Sequence, residues 1–197
     1  MKTATGKRAA LGTLLMLSLW GCVSVNMERD YLPRRYFVLN ATGDSIAPQA
    51  NGAGVLKLAD VRVSSRYDGK GFVYRIAPQN FETDFYNQFL VAPGSMITDE
   101  LREALRRANL FQYILNSASA AEPTHLLEAT VEELYGDFSS DTAGRAVLAV
   151  SFVMSREPTT KPQVVFQKQY EKSIPLQARS AEALVQGWNR ALEEILG

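Results

Sequence analysis

The chain has 197 residues, with 21 Lys or Arg against 21 Asp or Glu, one His and one Cys. Balanced charge leaves no basic excess to neutralise a phosphate backbone, which argues against nucleic-acid binding. One His and one Cys cannot furnish a zinc site, so no metal is expected, and the length allows about one domain on a prior of roughly 150 residues.

Lys2, Lys7 and Arg8 precede an uncharged, largely apolar run from Ala9 to Trp20. A basic start, an apolar middle and a small residue at the cut are the layout of a secretory signal peptide. The run is shorter than the roughly 20 apolar residues a membrane span requires. Leu19-Trp20-Gly21-Cys22 resembles a bacterial lipobox, in which Leu, a small residue and Gly or Ala precede an invariant Cys. Trp20 departs from the Ala, Ser or Thr preferred at its position. The motif implies that residues 1–21 are a lipoprotein signal peptide and that Cys22 is the lipid-attachment residue, carrying a diacylglycerol and an N-acyl chain such as palmitate. The competing reading is an ordinary secretory signal, or an uncleaved leader, with a chance cysteine. Val23 stands where an Asp would resemble an inner-membrane retention signal, which favours the outer membrane. Losing Lys2, Lys7 and Arg8 with the leader leaves 18 basic against 21 acidic residues.

Residues 22–33 read as a lipid-anchored tether, which fully extended reaches only about 35–40 Å. The domain proper is expected over 34–197. Arg34 to Asn40 is β-branched and aromatic, a first strand, and Ala41 to Gly54 is a Gly-, Asn- and Pro-containing loop. Val55 to Val63 alternates, with Val55, Ala59, Val61 and Val63 on one parity, which predicts one half-buried strand. Asp68-Gly69 marks a turn. Phe72 to Ile76 is a short strand, and a further strand is predicted over 81–86, ended by Pro93-Gly94.

Ile97, Leu101, Ala104, Leu105 and Ala108 then form an apolar stripe of helical period. Ser95 or Thr98 is the expected cap, Asp99 and Glu100 suit the positive end of the dipole, and Arg106 and Arg107 the negative end. Asn109 is a natural left-handed stop. Tyr113 to Leu115 is expected to pair briefly with a strand, and three longer strands follow: Thr124 to Tyr135, Arg145 to Ser155 and Val164 to Ile174, the last two joined by a loop at 158–162. Arg145 to Ser155 is apolar on both parities, so it should be central and covered on both sides, or covered on one side and in an oligomer contact on the other. A final helix over 180–196 carries Ala181, Leu184, Val185, Trp188, Leu192 and Ile195 as its stripe. Gly187 within it costs about 1 kcal/mol of helix propensity, which predicts close backbone packing there. The fold expected is α/β: a single domain with a mixed β-sheet and two amphipathic helices packed on one face.

Catalytic constellations are not expected. Gly43-Asp44-Ser45-Ile46 resembles the GDSL hydrolase block, but that block needs a distal Asp-x-x-His. The lone His125 lies mid-chain, where it reads as a structural residue at a strand end. Glu132-Glu133 and Glu193-Glu194 are adjacent pairs expected to point to different faces as solvated surface, and no Gly-rich phosphate loop occurs. Phe81, Phe85 and Phe89, with Tyr74 and Tyr86, could line a lipid groove; aromatics in short strands are more often core.

Taken in sequence, the lipobox, the Tyr36-Phe37-Val38-Leu39 strand, Val55 to Val63, Phe72-Val73-Tyr74-Arg75 and the helix of Leu101 to Phe111 form a recognisable set. With the late strand trio and C-terminal helix, it resembles the ABC-type transport auxiliary lipoproteins (PqiC-like) from about Arg34 to Leu196. The resemblance implies a non-enzymatic lipoprotein without cofactor, anchored in the outer membrane of a Gram-negative cell and facing the periplasm. Its implied partner is the periplasmic MCE-domain protein of an ABC lipid transport system, which it would dock, with self-association into a homo-oligomer as a natural match to an MCE ring. The alternatives are a lipid-binding chaperone that carries the lipid itself and an assembly lipoprotein of another envelope export machine.

Overall fold

The predicted strands join into one mixed nine-stranded sheet in a computed structural model that describes residues 32–41, 52–140, 143–157, 161 and 163–197. In chain order the elements are β1 (Arg35–Phe37), β2 (Val55–Leu58), β3 (Arg62–Val63), β4 (Gly71–Ala77), β5 (Asn80–Phe89), α1 (Pro93–Ala108), β6 (Tyr113–Leu115), β7 (His125–Asp137), β8 (Arg145–Arg156), β9 (Gln163–Pro175) and α2 (Ala181–Leu196). β7 is the hub. Along one edge it takes β2, β3 and β4 in succession as parallel partners, and along the other it pairs antiparallel with β8. Three arms extend from it: β4 leads through β5 to β1, β2 leads to the short β6, and β8 leads to β9.

Registers place both helices on one face. Val63 pairs with Val131 and Val131 with Val150, so these share a face with Leu148 and Ala146 of β8. A Cβ at Gly94 of α1 would stand 3.2 Å from Val63 Cγ2, and one at Gly187 of α2 would stand 2.6 Å from Ala146 Cβ. The propensity cost of Gly187 thus allows the backbone of α2 to lie directly on β8. Beneath α2, Phe72, Phe89 and Trp188 are almost wholly buried. Their rings meet at centroid distances of 4.7 to 5.4 Å, and Phe37 joins through Phe72 at 5.3 Å. Trp188 Nε1 donates to Val147 O at 3.2 Å, so the one polar atom of that ring is satisfied inside the core.

Several expectations are corrected. The strand expected over 55–63 is broken into β2 and β3, and its fully buried side chains are Leu56 and Leu58, on the parity opposite to the one predicted. The break follows from pairing: Ala59 N donates to Leu127 O, while Val61 N turns to Thr98 Oγ1 of α1 instead of a strand. α1 starts earlier than its apolar stripe, with Pro93 in its first turn, Ala92 as an N-cap without a side-chain bond, and no acidic residue in that turn. Pro93 therefore opens the helix, as its fixed φ and missing N–H permit. Neither Ser95 nor Thr98 caps it; Thr98 Oγ1 bonds back to Gly94 O. Asn109 does end α1 at φ 51°, ψ 36°, and Arg106 and Arg107 occupy the last turn. β5 runs beyond 81–86, and Ser180 caps α2 by accepting from Ala183 N. β8 lies between β7 and β9 with Ala146 to Val150 buried on both faces.

Candidate functional site

The most unusual local geometry lies where β4 meets β5. Between the pairs Gly71–Gln88 and Val73–Thr83, β4 advances two residues while β5 advances five, so three residues bulge out of β5. Asp84 holds the bulge closed. Its carboxylate accepts from Tyr74 Oη at 2.6 Å, Tyr86 N at 2.7 Å, Asn87 N at 3.0 Å and Asn87 Nδ2 at 2.6 Å. Burial pushes the Asp84 carboxyl upward, but those donors together outweigh it and hold it below the ordinary aspartate range. Burial, then the bond to Asp84 and its charge, push the Tyr74 phenol well above its usual value. The knot stays ionised at Asp84 and protonated at Tyr74, the arrangement that keeps every bond in place.

What this knot displays is apolar. Phe85 and Tyr86 stand outward, 58% and 43% exposed, edge-to-face on each other at 5.4 Å, with the Arg34 guanidinium 4.0 Å over the Phe85 ring. Alongside, β1 pairs, among the described residues, only with β5, with Tyr36 opposite Gln88. Tyr36, Val38 and Leu90 are each more than half exposed and continue the row. Lys70 Nζ bonds Leu90 O at 2.9 Å beside it. The other arm ends differently. Among the described residues β9 pairs only with β8, and its residues Gln163 to Gln169 are exposed on both faces, including Val164, Val165 and Phe166.

On the sheet face away from the helices lies an open trough of about 520 Å³, lined by Arg75, Glu132, Glu133, Tyr135, Ala149, Gln169 and Glu171. A register shift between Val131 and Glu133 turns both Glu132 and Glu133 into it, which corrects the expectation that adjacent glutamates point to opposite faces. Ser151 Oγ donates to Glu132 Oε1 at 2.8 Å. At its rim Arg75 clamps Asp137, Nη2 to Oδ2 at 2.5 Å and Nε to Oδ1 at 3.2 Å. That bond, reinforced by Ser139 against the opposing effect of burial, lowers the Asp137 carboxyl to about 2. Tyr67 stacks on Tyr135 at 5.9 Å, and burial followed by the Glu133 charge pushes both phenols up.

The residues singled out from sequence meet varied ends. Cys22 and Gly43 to Ile46 lie outside the described residues. His125 opens β7, its Nδ1 3.0 Å from Thr124 Oγ1 and its ring against Phe111. The proposed aromatic groove is divided: Phe89 is core, Phe81 packs edge-on to Tyr135 on the opposite face, and Phe85 with Tyr86 faces solvent. Sequence reasoning missed the β5 bulge, because its signal is one Asp accepting from backbone two and three residues ahead, a pattern any Asx turn shares. Among the described residues no group of three His, Cys, Asp or Glu is arranged to hold a metal, and no helix is long and apolar enough to cross a membrane.

A family model described as ABC-type transport auxiliary lipoprotein component matches residues 37–196. Among solved structures, a Xanthomonas campestris protein of the family DUF330 superposes with a TM-score of 0.65 at 14% identity, covering 84% of this chain and 89% of its own. A second, an uncharacterized protein, superposes with a TM-score of 0.59 at 14% identity, covering 83% of this chain and 97% of its own. At that identity the likeness is one of fold. No curated protein matches the chain.

Proposed function

We propose that this chain, which belongs to the family of ABC-type transport auxiliary lipoprotein components, is the outer-membrane-anchored subunit of an MCE-type lipid transport system. In this reading it docks the periplasmic MCE-domain protein and performs no catalysis. A lipid on Cys22 is its membrane attachment, and the domain faces the periplasm. The observation that carries the docking role is β9, a long strand whose residues Gln163 to Gln169 are exposed on both faces and which, among the described residues, pairs along one edge only, leaving the backbone donors and acceptors of the other edge free. Such an edge recruits polypeptide by strand addition, with Val164 and Phe166 offering side-chain contacts. Self-association, expected from the apolar β8, moves to β9 as well, since Ala146 to Val150 of β8 are already buried on both faces within the chain. A lipid-carrying chaperone fits less well, because the open trough is lined by Glu132, Glu133, Glu171 and Arg75, which would leave acyl chains against charge.

A photo-crosslinking side chain at Val165 in the lipidated chain tests the docking role. The expected product joins the chain to the MCE-domain protein; products only between copies would support self-association, and phospholipid retained by the purified chain without any crosslink would overturn docking. Cys22→Ser should leave the domain folded and move it from the membrane to the soluble periplasmic fraction. Retention in the outer membrane would show that the lipid on Cys22 is not what holds it there.

A further inference from the structure

We propose that the rim formed by β1 and the β5 bulge rests on a phospholipid surface, so that the domain is oriented on its membrane as well as tethered to it. The inference depends on the reading of Cys22 as a lipid-anchored residue. Three observations point the same way. The row of exposed apolar side chains, Tyr36, Val38, Phe85, Tyr86 and Leu90, begins immediately after Pro33, where the tether ends. A tether that reaches at most about 35–40 Å holds this end of the domain near the bilayer. The composition is that of a membrane interface, aromatic rings with cations: Arg34 lies over Phe85 and Lys70 sits beside Leu90. Long basic side chains can lay their stems on apolar surface and reach phosphates with their heads.

Backbone chemistry separates lipid from protein as the occupant. An unpaired strand edge is costly in lipid, where nothing answers its donors and acceptors, and valuable against another polypeptide. β1 is three residues long and offers little free edge, so its binding capacity lies in side chains. The bulge is also satisfied internally, since Asp84 answers the N–H groups of Tyr86 and Asn87. Phe85 and Tyr86 can therefore enter an interface with the N–H groups of Tyr86 and Asn87 already answered. Rigid display by the Asp84 knot lowers the ordering cost of doing so.

Cys22 is the only cysteine, so acylation leaves no free thiol and a Tyr86→Cys chain carries a single labelling site. The lipidated full chain, labelled there with an environment-sensitive fluorophore, is placed in phosphatidylethanolamine–phosphatidylglycerol vesicles containing a doxyl-phospholipid quencher. Quenching is expected at position 86 and not in the matching Val165→Cys chain on β9. Absence of quenching at 86, or equal quenching at both, overturns the proposal, as does a crosslink from 86 to a partner protein in cells. Labelling of the wild-type chain at Cys22 would show instead that the anchor reading has failed. Vesicle flotation of the unlipidated Cys22→Ser chain then decides the rim separately: adding Phe85→Ser and Tyr86→Ser should weaken binding about tenfold or more, and unchanged flotation would overturn it.

Discussion

β1 and β9 both end an arm of the same sheet, yet they expose opposite kinds of chemistry. β1 is three residues long, and the surface it shares with β5 is made of side chains, with the N–H groups of Tyr86 and Asn87 in the bulge answered by Asp84. β9 is thirteen residues long and, among the described residues, has no strand partner along its outer side. Shortness is one of the ordinary protections of a sheet edge, and a long exposed edge carrying Val164, Val165 and Phe166 lacks it. A free edge thus acquires its partner class from whether side chains or backbone remain unsatisfied.

The two arms share a core and a clamp, and disturbing those gives the largest effects. Trp188→Ala should cost about 3–5 kcal/mol in urea unfolding, because it removes the ring on which Phe72 and Phe89 pack beneath the β1 arm. A loss near 1 kcal/mol would mean that this arm is not held from the α2 side. Gly187→Ala acts on the β8–β9 arm: its methyl would meet Ala146 Cβ at 2.6 Å and Leu176 Cδ2 at 2.9 Å. Overpacking of about 1–3 kcal/mol should exceed the helix-propensity gain of about 1 kcal/mol, giving a net loss in thermal melts.

Arg75–Asp137 joins β4, which leads to β1, to β7, which leads to β8 and β9. The Asp137 carboxyl is lowered from 3.8 to about 2, so its stabilisation is fully present above the unfolded value and is lost as pH falls toward about 2. With Arg75 partly exposed the contribution should be on the order of 1 kcal/mol. Asp137→Asn should flatten that part of the acid limb in a pH series of denaturant midpoints, and an unchanged limb would remove the clamp from the account. The smallest effect on stability is expected from Val165→Lys, within about 0.5 kcal/mol. It should nevertheless abolish crosslinking from a photo-reactive side chain placed at Gln167 if that edge pairs with polypeptide.

Local chemistry was most legible where one neighbour satisfied one residue. Asn109 ends α1 in the left-handed region, and the Gly187 contact on Ala146 follows from a glycine placed inside an apolar stripe. Legibility failed where a distant partner decided the outcome. Thr98 reads as a helix cap, but its hydroxyl serves Val61 N from inside α1, and the strand expected over 55–63 breaks there. Glu132 and Glu133 read as opposite-facing until the β7 bulge turns both into one trough. The aromatic set of Phe81, Phe85 and Phe89 has one spacing and three environments, because alternation is interrupted by the residues inserted in β5.

The sequence by itself determined the element types, the mixed sheet with two helices and the family resemblance, since these rest on periodicity and the order of local signals. Tertiary structure alone decided which edges stay free, which aromatics are displayed and how two carboxylates come to share a face. Those features depend on strand register, and register is set by long-range pairing, where a single inserted residue reverses the face of every side chain beyond it.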